Sequence, residues 1–178
     1  MHHRLKSIVV LNAVFACSLA FASPALAQKA AAKAKPKSGA SASKPGTAAA
    51  GAPDGSKIFT TTCAACHQVS GEGVEEKYPP LAGSEWVADD DAKMVRIILQ
   101  GLTGPVEVAG QTFSGAMPAW GGILKDADVA AVATYVRSAW GNKAAPVTAA
   151  KVKQIRAATT ARTTPWTVAE LSAIKPTK

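Results

Sequence analysis

The sequence predicts an all-α domain over residues 54–142, and two observations predict that fold class. Acidic residues that suit the positive ends of helices stand before apolar segments at Asp54, at 89–91 and at 126–128. Apolar side chains then recur with the helical spacing i, i+3, i+4 and i+7, which places them on one helix face. These side chains are Val95, Ile98, Leu99 and Leu102.

Three helices are predicted within this domain. Gly55 follows the cap at Asp54 and suits close packing of the first helix against a neighbour. Gly141 is a residue type that favours helix C-termini, so it ends the third helix. In chain order, the helices are predicted at about 54–66, from 89–91 to about 102, and from 126 or 128 to about 140.

The run Cys63-Ala64-Ala65-Cys66-His67 carries the strongest chemical signal. Two thiols one helical turn apart suit attachment to the two vinyl groups of a haem, and the adjacent imidazole suits its iron. Tetrahedral zinc is an alternative, but a second CxxC or His pair is missing. A dithiol redox centre is another, but residues 55–62 do not read as the buried strand that usually precedes one. We therefore predict one haem c, bound covalently by Cys63 and Cys66, with His67 on the iron.

A long glycine-rich loop is predicted between the second and third helices, from Gly101 to Leu124. Its glycines let the backbone approach a flat surface closely. Met117 precedes Pro118, which keeps it out of helical geometry, and a thioether is a common second ligand of haem iron. Met94, the other internal methionine, lies within a predicted helix and is predicted to pack there. Met117 is therefore the predicted second axial ligand.

Residues 1–27 have the pattern of a secretory signal peptide. Arg4 and Lys6 precede an apolar run at 8–21, and a small-x-small site predicts cleavage after Ala27. This predicts export to the periplasm of a Gram-negative bacterium, in agreement with haem attachment outside the bacterial cytoplasm. An uncleaved anchor is the alternative, although the apolar run is short for a membrane span of about 20 residues.

The net charge of +8 is divided among three blocks. Residues 28–53 carry five lysines and no acid among small and polar residues, which predicts a flexible linker. Residues 54–142 carry six bases and eleven acids, whereas residues 143–178 carry seven bases and one acid. The basic extensions suit at most a peripheral contact with an anionic membrane, and export argues against nucleic acid as a partner.

The basic C-terminal extension at 143–178 is predicted to be partly helical. Thr148 is a suitable cap for a short helix through Ile155, and Thr167 with Glu170 has the spacing of a capping box. The extension also carries several large apolar side chains. They either pack on the haem domain or form a docking surface for a partner.

The chain resembles the class I cytochromes c over residues 54–160. The haem motif lies near the start of the folded domain, as it does in that class. Gly55-x-x-x-Phe59 is similar to the first helix of the family, and Val132 and Tyr135 are similar to the positions where the last helix crosses it. Further similarity is to the monohaem cytochrome subunits and domains of bacterial periplasmic dehydrogenases and respiratory chains. The strings that carry this further similarity are 100–105, 110–113, 117–121 and 135–142, while 78–84 is similar to the Pro-x-Leu element of the class I family.

The resemblance implies a class I cytochrome c fold around one haem, and it implies further contacts in the haem pocket. It places the carbonyl of Pro79, with Pro80 as the alternative, on the free Nδ1 of His67, where it would fix the tautomer. It also places Trp86 near a haem propionate. An aromatic packing anchor is the equal alternative for Trp86.

These residues predict an electron carrier and not an enzyme. With His67 and Met117 both on the iron, no position is open to a substrate, and the sequence shows no separate catalytic constellation. The predicted partners are redox proteins: a dehydrogenase as donor, and the respiratory chain as acceptor. The alternatives are a free soluble shuttle to a terminal oxidase or reductase, and a small-ligand sensor or peroxidase-like enzyme in which Met117 leaves the iron.

Overall fold

The computed structural model describes residues 51–175. The predicted signal peptide at 1–27 lies outside the described residues, and so does almost all of the predicted linker at 28–53. Among residues 51–175, no helix combines the length and the apolar composition that a membrane span requires.

The described part of the chain forms seven helices and one two-stranded antiparallel sheet. The helices in the N-terminal half are α1 (Gly55–Thr62), α2 (Ala64–His67), α3 (Glu85–Ala88) and α4 (Asp91–Gln100). The strands are β1 (Leu102–Val108) and β2 (Gln111–Met117). The C-terminal helices are α5 (Asp126–Ser138), α6 (Ala149–Ala158) and α7 (Val168–Ala173).

Helix α1 begins at the predicted cap, because the Asp54 carboxylate accepts from the backbone N–H groups of Ser56 and Lys57. The first helix is shorter than predicted: it ends at Thr62, and the cysteine motif forms the separate turn α2. At Gly55, a Cβ would overlap the carbonyl of Ala131 in α5. The glycine therefore allows the first helix and α5 to pack backbone to backbone.

The all-α prediction is wrong for residues 102–117, which form a hairpin and not a loop. Ala109 and Gly110 connect the strands with φ values of +51° and +77°, the two left-handed residues that a type I′ turn requires. The strands bury alternate apolar side chains on one face, as half-buried strands do. These side chains are Val106, Val108 and Phe113.

The main core joins α4, α5 and the C-terminal extension. Val95 in α4, Val129 in α5 and Val152 in α6 are each fully buried and belong to one apolar cluster. The extension therefore contributes to the same core as the helices before residue 142. The sequence left two alternatives for the apolar side chains of the extension, packing on the haem domain or docking of a partner. Val147, Val152 and Ile155 pack on the haem domain.

The predicted caps of the extension are confirmed. The Thr148 hydroxyl accepts from the backbone N–H of Lys151 at the start of α6. Thr167 and Glu170 form a reciprocal capping box at the start of α7, and Leu171 in that helix is fully buried.

A buried guanidinium ties α5 to the segments on either side of it. Arg137 is 5% exposed, and it donates to the carbonyls of Val87, Asp89 and Ala145 at 2.7, 3.0 and 2.8 Å. Each of these carbonyls gains a charge-assisted hydrogen bond in a place that water reaches poorly. Arg137 thereby holds the end of α3 and the start of the extension against one helix.

Candidate haem site

An apolar cavity lies between the helices and the hairpin within residues 51–175. It contains about 820 Å³ of empty space, part of it open to solvent, and a second cavity of about 750 Å³ adjoins it. The residues that line both cavities include Cys63, His67, Pro79 and Met117. The structure thus brings the predicted ligands and one predicted attachment thiol to the same space.

His67 is the last residue of α2 and is 8% exposed. Its Nδ1 lies 3.0 Å from the carbonyl oxygen of Pro79, so Nδ1 carries the hydrogen and donates it. The lone pair of Nε2 is then free, which is the form that a metal-binding imidazole needs. Burial lowers the pKa of His67, while the bond to Pro79 raises it by less, so the net shift favours the neutral ring.

The loop after α2 places Pro79 beside the imidazole. Gly73 donates to the carbonyl of His67 at 3.0 Å, and Val74 pairs with Tyr78 in an isolated bridge. Gly73 has a φ of +71°, and a Cβ there would overlap the carbonyl of Tyr78. The tight turn that results brings the chain back at Pro79, which explains how a residue twelve positions later contacts the ring.

The two cysteines of the motif both border the site. Cys63 and Cys66 are both partly buried. Cys63 lines both cavities, and Cys66 lines the second. Burial raises the pKa of Cys63 to about 11, with the neighbouring Cys66 thiol as a smaller cause. The second cavity is therefore lined by both cysteines and by His67.

Met117 is the last residue of β2, and its position is fixed by the hairpin rather than by a loop. It is partly buried, and its partner in β1 is Leu102. After Met117, two backbone hydrogen bonds hold the chain to the end of α4. The backbone N–H of Trp120 donates to the carbonyl of Ile98 at 2.9 Å, and that of Gly121 donates to the carbonyl of Leu99 at 3.0 Å. Met94 lines only the first of the two cavities.

Trp86 in α3 also lines the first cavity, but its indole N–H is engaged elsewhere. It donates to the carbonyl of Glu107 in β1 at 2.9 Å, and the ring packs beside the buried residues of the hairpin. The indole therefore joins α3 to the hairpin. Its predicted contact with a haem propionate stays a prediction.

The hairpin supplies pocket residues that sequence reasoning missed. Leu102 and Val106 in β1 line both cavities, although the segment was predicted to be a loop. The signal that could have revealed them is the spacing of two between Val106 and Val108, followed by Phe113 after a turn.

The residues present fit a haem. A porphyrin is flat and apolar, and this space is lined mostly by apolar side chains. The donor set is also suitable, since it combines a neutral imidazole nitrogen, a thioether sulfur and two thiols. These donors come from α2, from the end of β2 and from the residue that joins α1 to α2.

Comparisons with known proteins identify the family. A family model described as Cytochrome c matches residues 52–140. Cytochrome c-552 of Thermus thermophilus is 38% identical over 113 residues, which cover 58% of this chain and 85% of that protein. The cytochrome c subunit of the quinone alcohol dehydrogenase of Gluconobacter oxydans is 32% identical over 105 residues, 57% of this chain and 22% of that subunit.

A third relative is subunit FixP of the cbb3-type cytochrome c oxidase of Bradyrhizobium diazoefficiens. It is 36% identical over 91 residues, which cover 50% of this chain and 28% of that subunit. This chain thus spans most of cytochrome c-552 but only a small part of the two subunits. The family match and these relatives show that the chain belongs to the cytochrome c family, as a class I c-type cytochrome whose cofactor is haem c.

Proposed function

We propose that this cytochrome is a periplasmic electron carrier with one haem, whose iron is bound by His67 and Met117 and whose thioether bonds are made by Cys63 and Cys66. It relays electrons from a dehydrogenase to the respiratory chain. The observation that carries the proposal is that His67 and Met117, fifty residues apart, line the same two cavities together with Cys63. Electron transfer itself is the coarse function of the family to which the chain belongs.

The ligands determine the kind of chemistry. When bound, haem c supplies an iron that gains and loses one electron. His67 presents Nε2, because its Nδ1–H is committed to Pro79. The sulfur of Met117 is neutral, so it favours ferrous iron and raises the reduction potential. Two ligands from the chain leave no iron position for a substrate, which supports a carrier and not an enzyme.

The surroundings of the ligands support fast electron exchange. Leu102, Val106 and Trp120 line both cavities, so apolar side chains border the space beside the ligands. With the haem bound, an apolar lining would leave little solvent near the iron to reorganise when its charge changes. The hairpin and the segment after it therefore form one apolar wall of the redox centre.

The proposed cellular route rests on the sequence pattern of 1–27 and on the relatives. Residues 1–27 are a cleaved export signal, residues 28–53 are a tether, and the haem domain at 54–142 is completed by the extension at 143–178. Membrane association is peripheral at most. The relatives named as a dehydrogenase subunit and an oxidase subunit support redox proteins as partners.

A free soluble shuttle to a terminal oxidase or reductase is the second candidate. It is favoured by one observation: the match covers 85% of cytochrome c-552 but only 22% of the dehydrogenase subunit. A chain that corresponds to nearly a whole small cytochrome need not be part of a larger assembly.

The native size of the protein separates the two candidates. A tagged copy would be purified from its own cells in mild detergent, and haem absorbance would be followed through size-exclusion chromatography. We expect haem to elute with a larger polypeptide and to be reduced by that polypeptide's substrate. Elution at the monomer mass without such a partner would favour the shuttle. A protein without covalent haem would contradict both.

A further inference from the structure

Three segments lie side by side at the end of the hairpin that carries Met117. Met117 is the partner of Leu102 across the sheet, and on its other side Leu102 forms a parallel bridge with Trp166. Two backbone bonds make that bridge: Thr103 donates to Trp166 at 2.8 Å, and Trp166 donates to Gly101 at 3.0 Å. The C-terminal extension thus adds one residue beside Leu102, on the side of β1 away from the methionine.

Gly101, the residue before Leu102, packs directly against the backbone of Met117. A Cβ on Gly101 would overlap the Met117 carbonyl, and it would lie 3.2 Å from the backbone nitrogen of Ala119. Gly101 has a φ of +83°, which suits glycine. The same residue accepts the hydrogen bond from Trp166. A displacement of Trp166 therefore reaches the Met117 backbone through a single residue.

The side chain of Trp166 is itself held on both sides. Its indole N–H donates to Gln100 at 3.2 Å, and Gln100 donates to the Thr159 hydroxyl at 2.7 Å. The Arg162 guanidinium lies 3.7 Å from the centre of the indole ring. Arg162 in turn donates to Glu170 at 2.8 Å, within the capping box of α7. Trp166 is thus the point at which α4, α6 and α7 meet β1, the strand that pairs with β2 and Met117.

We infer that Trp166 is a positioning residue for Met117: by bonding to Gly101 and β1, the C-terminal extension holds the paired end of β2 in place and so determines how firmly the sulfur stays on the iron. The inference rests on the proposed ligation by Met117. An iron–thioether bond is weak and long compared with a bond to imidazole. A strand end that is free to move therefore spends more time with the sulfur displaced. The indole and its partners thus lower the fraction of molecules in which the sulfur has left the iron, although Trp166 does not line either cavity.

The test measures how readily an outside ligand replaces the sulfur. Carbon monoxide is added to the ferrous holoprotein, and the fraction bound at a fixed concentration is read from the haem spectrum. Trp166→Ala removes both the hydrogen bond to Gln100 and the stacking with Arg162. Losing both corresponds to about a tenfold rise in the methionine-free fraction. Trp166→Phe keeps an aromatic ring beside Arg162, so it should restore part of the effect.

Two further variants separate this inference from the proposed function and from general destabilisation. Val152→Ala removes buried contacts in α6, a position outside both cavities, and should leave carbon monoxide binding unchanged. Met117→Leu should bind carbon monoxide in full. Backbone exchange of the Thr103 amide, which donates to Trp166, gives a readout independent of ligand binding and should be faster in Trp166→Ala.

The outcomes are distinct. If Met117→Leu binds no carbon monoxide, the proposed ligand is wrong and the inference fails with it. If Met117→Leu binds but Trp166→Ala behaves as wild type, only the inference is overturned. If Val152→Ala gains as much binding as Trp166→Ala, the effect is general loss of stability, and the inference is overturned again. If Trp166→Ala does not fold, Trp166→Phe and Arg162→Gln decide in its place, and both must increase binding.

Discussion

The α-carbon of Gly71 lies directly against the indole of Trp140, so that a Cβ there would come within 2.6 Å of ring atoms. The two residues are 69 positions apart in the sequence. The carbonyl of Gly71 also accepts hydrogen bonds from Leu81 and Ala82 at 2.7 and 3.0 Å. The contact therefore joins the end of the last helix of the haem domain to the loop that presents Pro79.

Gly71→Ala should lower the free energy of unfolding by about 2–4 kcal/mol, from a left-handed backbone and a displaced ring. The φ of Gly71 is +72°. Gly83→Ala is the matched control, since Gly83 has a φ of +67° but open space around its Cβ position. That variant should cost about 1 kcal/mol. Urea denaturation measures both, and equal losses would show that the Trp140 contact is unimportant.

Met117→Leu and Met94→Leu should separate the two internal methionines. The first should open the iron, lower the reduction potential and abolish the weak absorbance band of ferric iron bound to sulfur. The second should leave the band in place, because Met94 packs between helices. Both replacements preserve side-chain volume closely. A band lost only in Met94→Leu would transfer the ligand role to that residue.

Replacing Cys63 or Cys66 with alanine should weaken covalent retention of the haem, and replacing both should abolish it. Each thiol provides one of the two expected thioether bonds. Haem staining on a denaturing gel measures retention, and staining for the protein on the same gel corrects for expression. Normal haem staining of the double variant would disprove covalent attachment at this motif.

The capping box of α7 should make stability depend on pH in the acid range. Hydrogen bonds from the Thr167 backbone, from Arg162 and from the Thr167 hydroxyl lower the pKa of Glu170 below its usual 4.5. A lowered pKa in the folded state stabilises the fold above pH 4.5, and this contribution is lost as the pH falls through the folded value. Glu170→Gln should therefore be less stable than wild type at pH 7, and the gap should close on acidification.

Comparison of urea midpoints at several pH values measures that gap. Taking the difference between variant and wild type removes the effect of Asp54 and Asp89, whose pKa values are also lowered by hydrogen bonds. Glu75→Gln, at an exposed acidic position outside the capping box, is the control. A gap that does not change with pH would mean that Glu170 acts through its shape and not its charge.

Local signals in the sequence predicted much of this fold. The caps at Asp54, Thr148 and Thr167 involve residues two or three positions apart, so the pattern contains both partners. The apolar stripe of α4 likewise predicted Val95, Ile98 and Leu99 as buried. Such features follow from helix geometry alone.

Local patterns did not predict the hairpin or the contacts of Trp86 and Trp166. Glycines between residues 101 and 122 weakened the alternating pattern of the strands, and the turn at Ala109 carries a residue that rarely adopts a positive φ. The indole of Trp86 finds Glu107 only after the hairpin has folded back. The indole of Trp166 finds Gln100, 66 positions earlier, only after α6 has packed. Long-range contacts of this kind depend on the whole fold.

The burial of Val152 beside α4 and α5 also has a consequence for the order of events during synthesis. A chain emerges from its N-terminus, so Cys63, Cys66 and His67 appear well before the residues of α6 that complete the core. Until then α4 and α5 lack one of their packing surfaces, and the cysteine motif belongs to an unfinished fold. The haem domain therefore cannot complete its core until the C-terminal segment has been made and has packed, wherever the haem is attached.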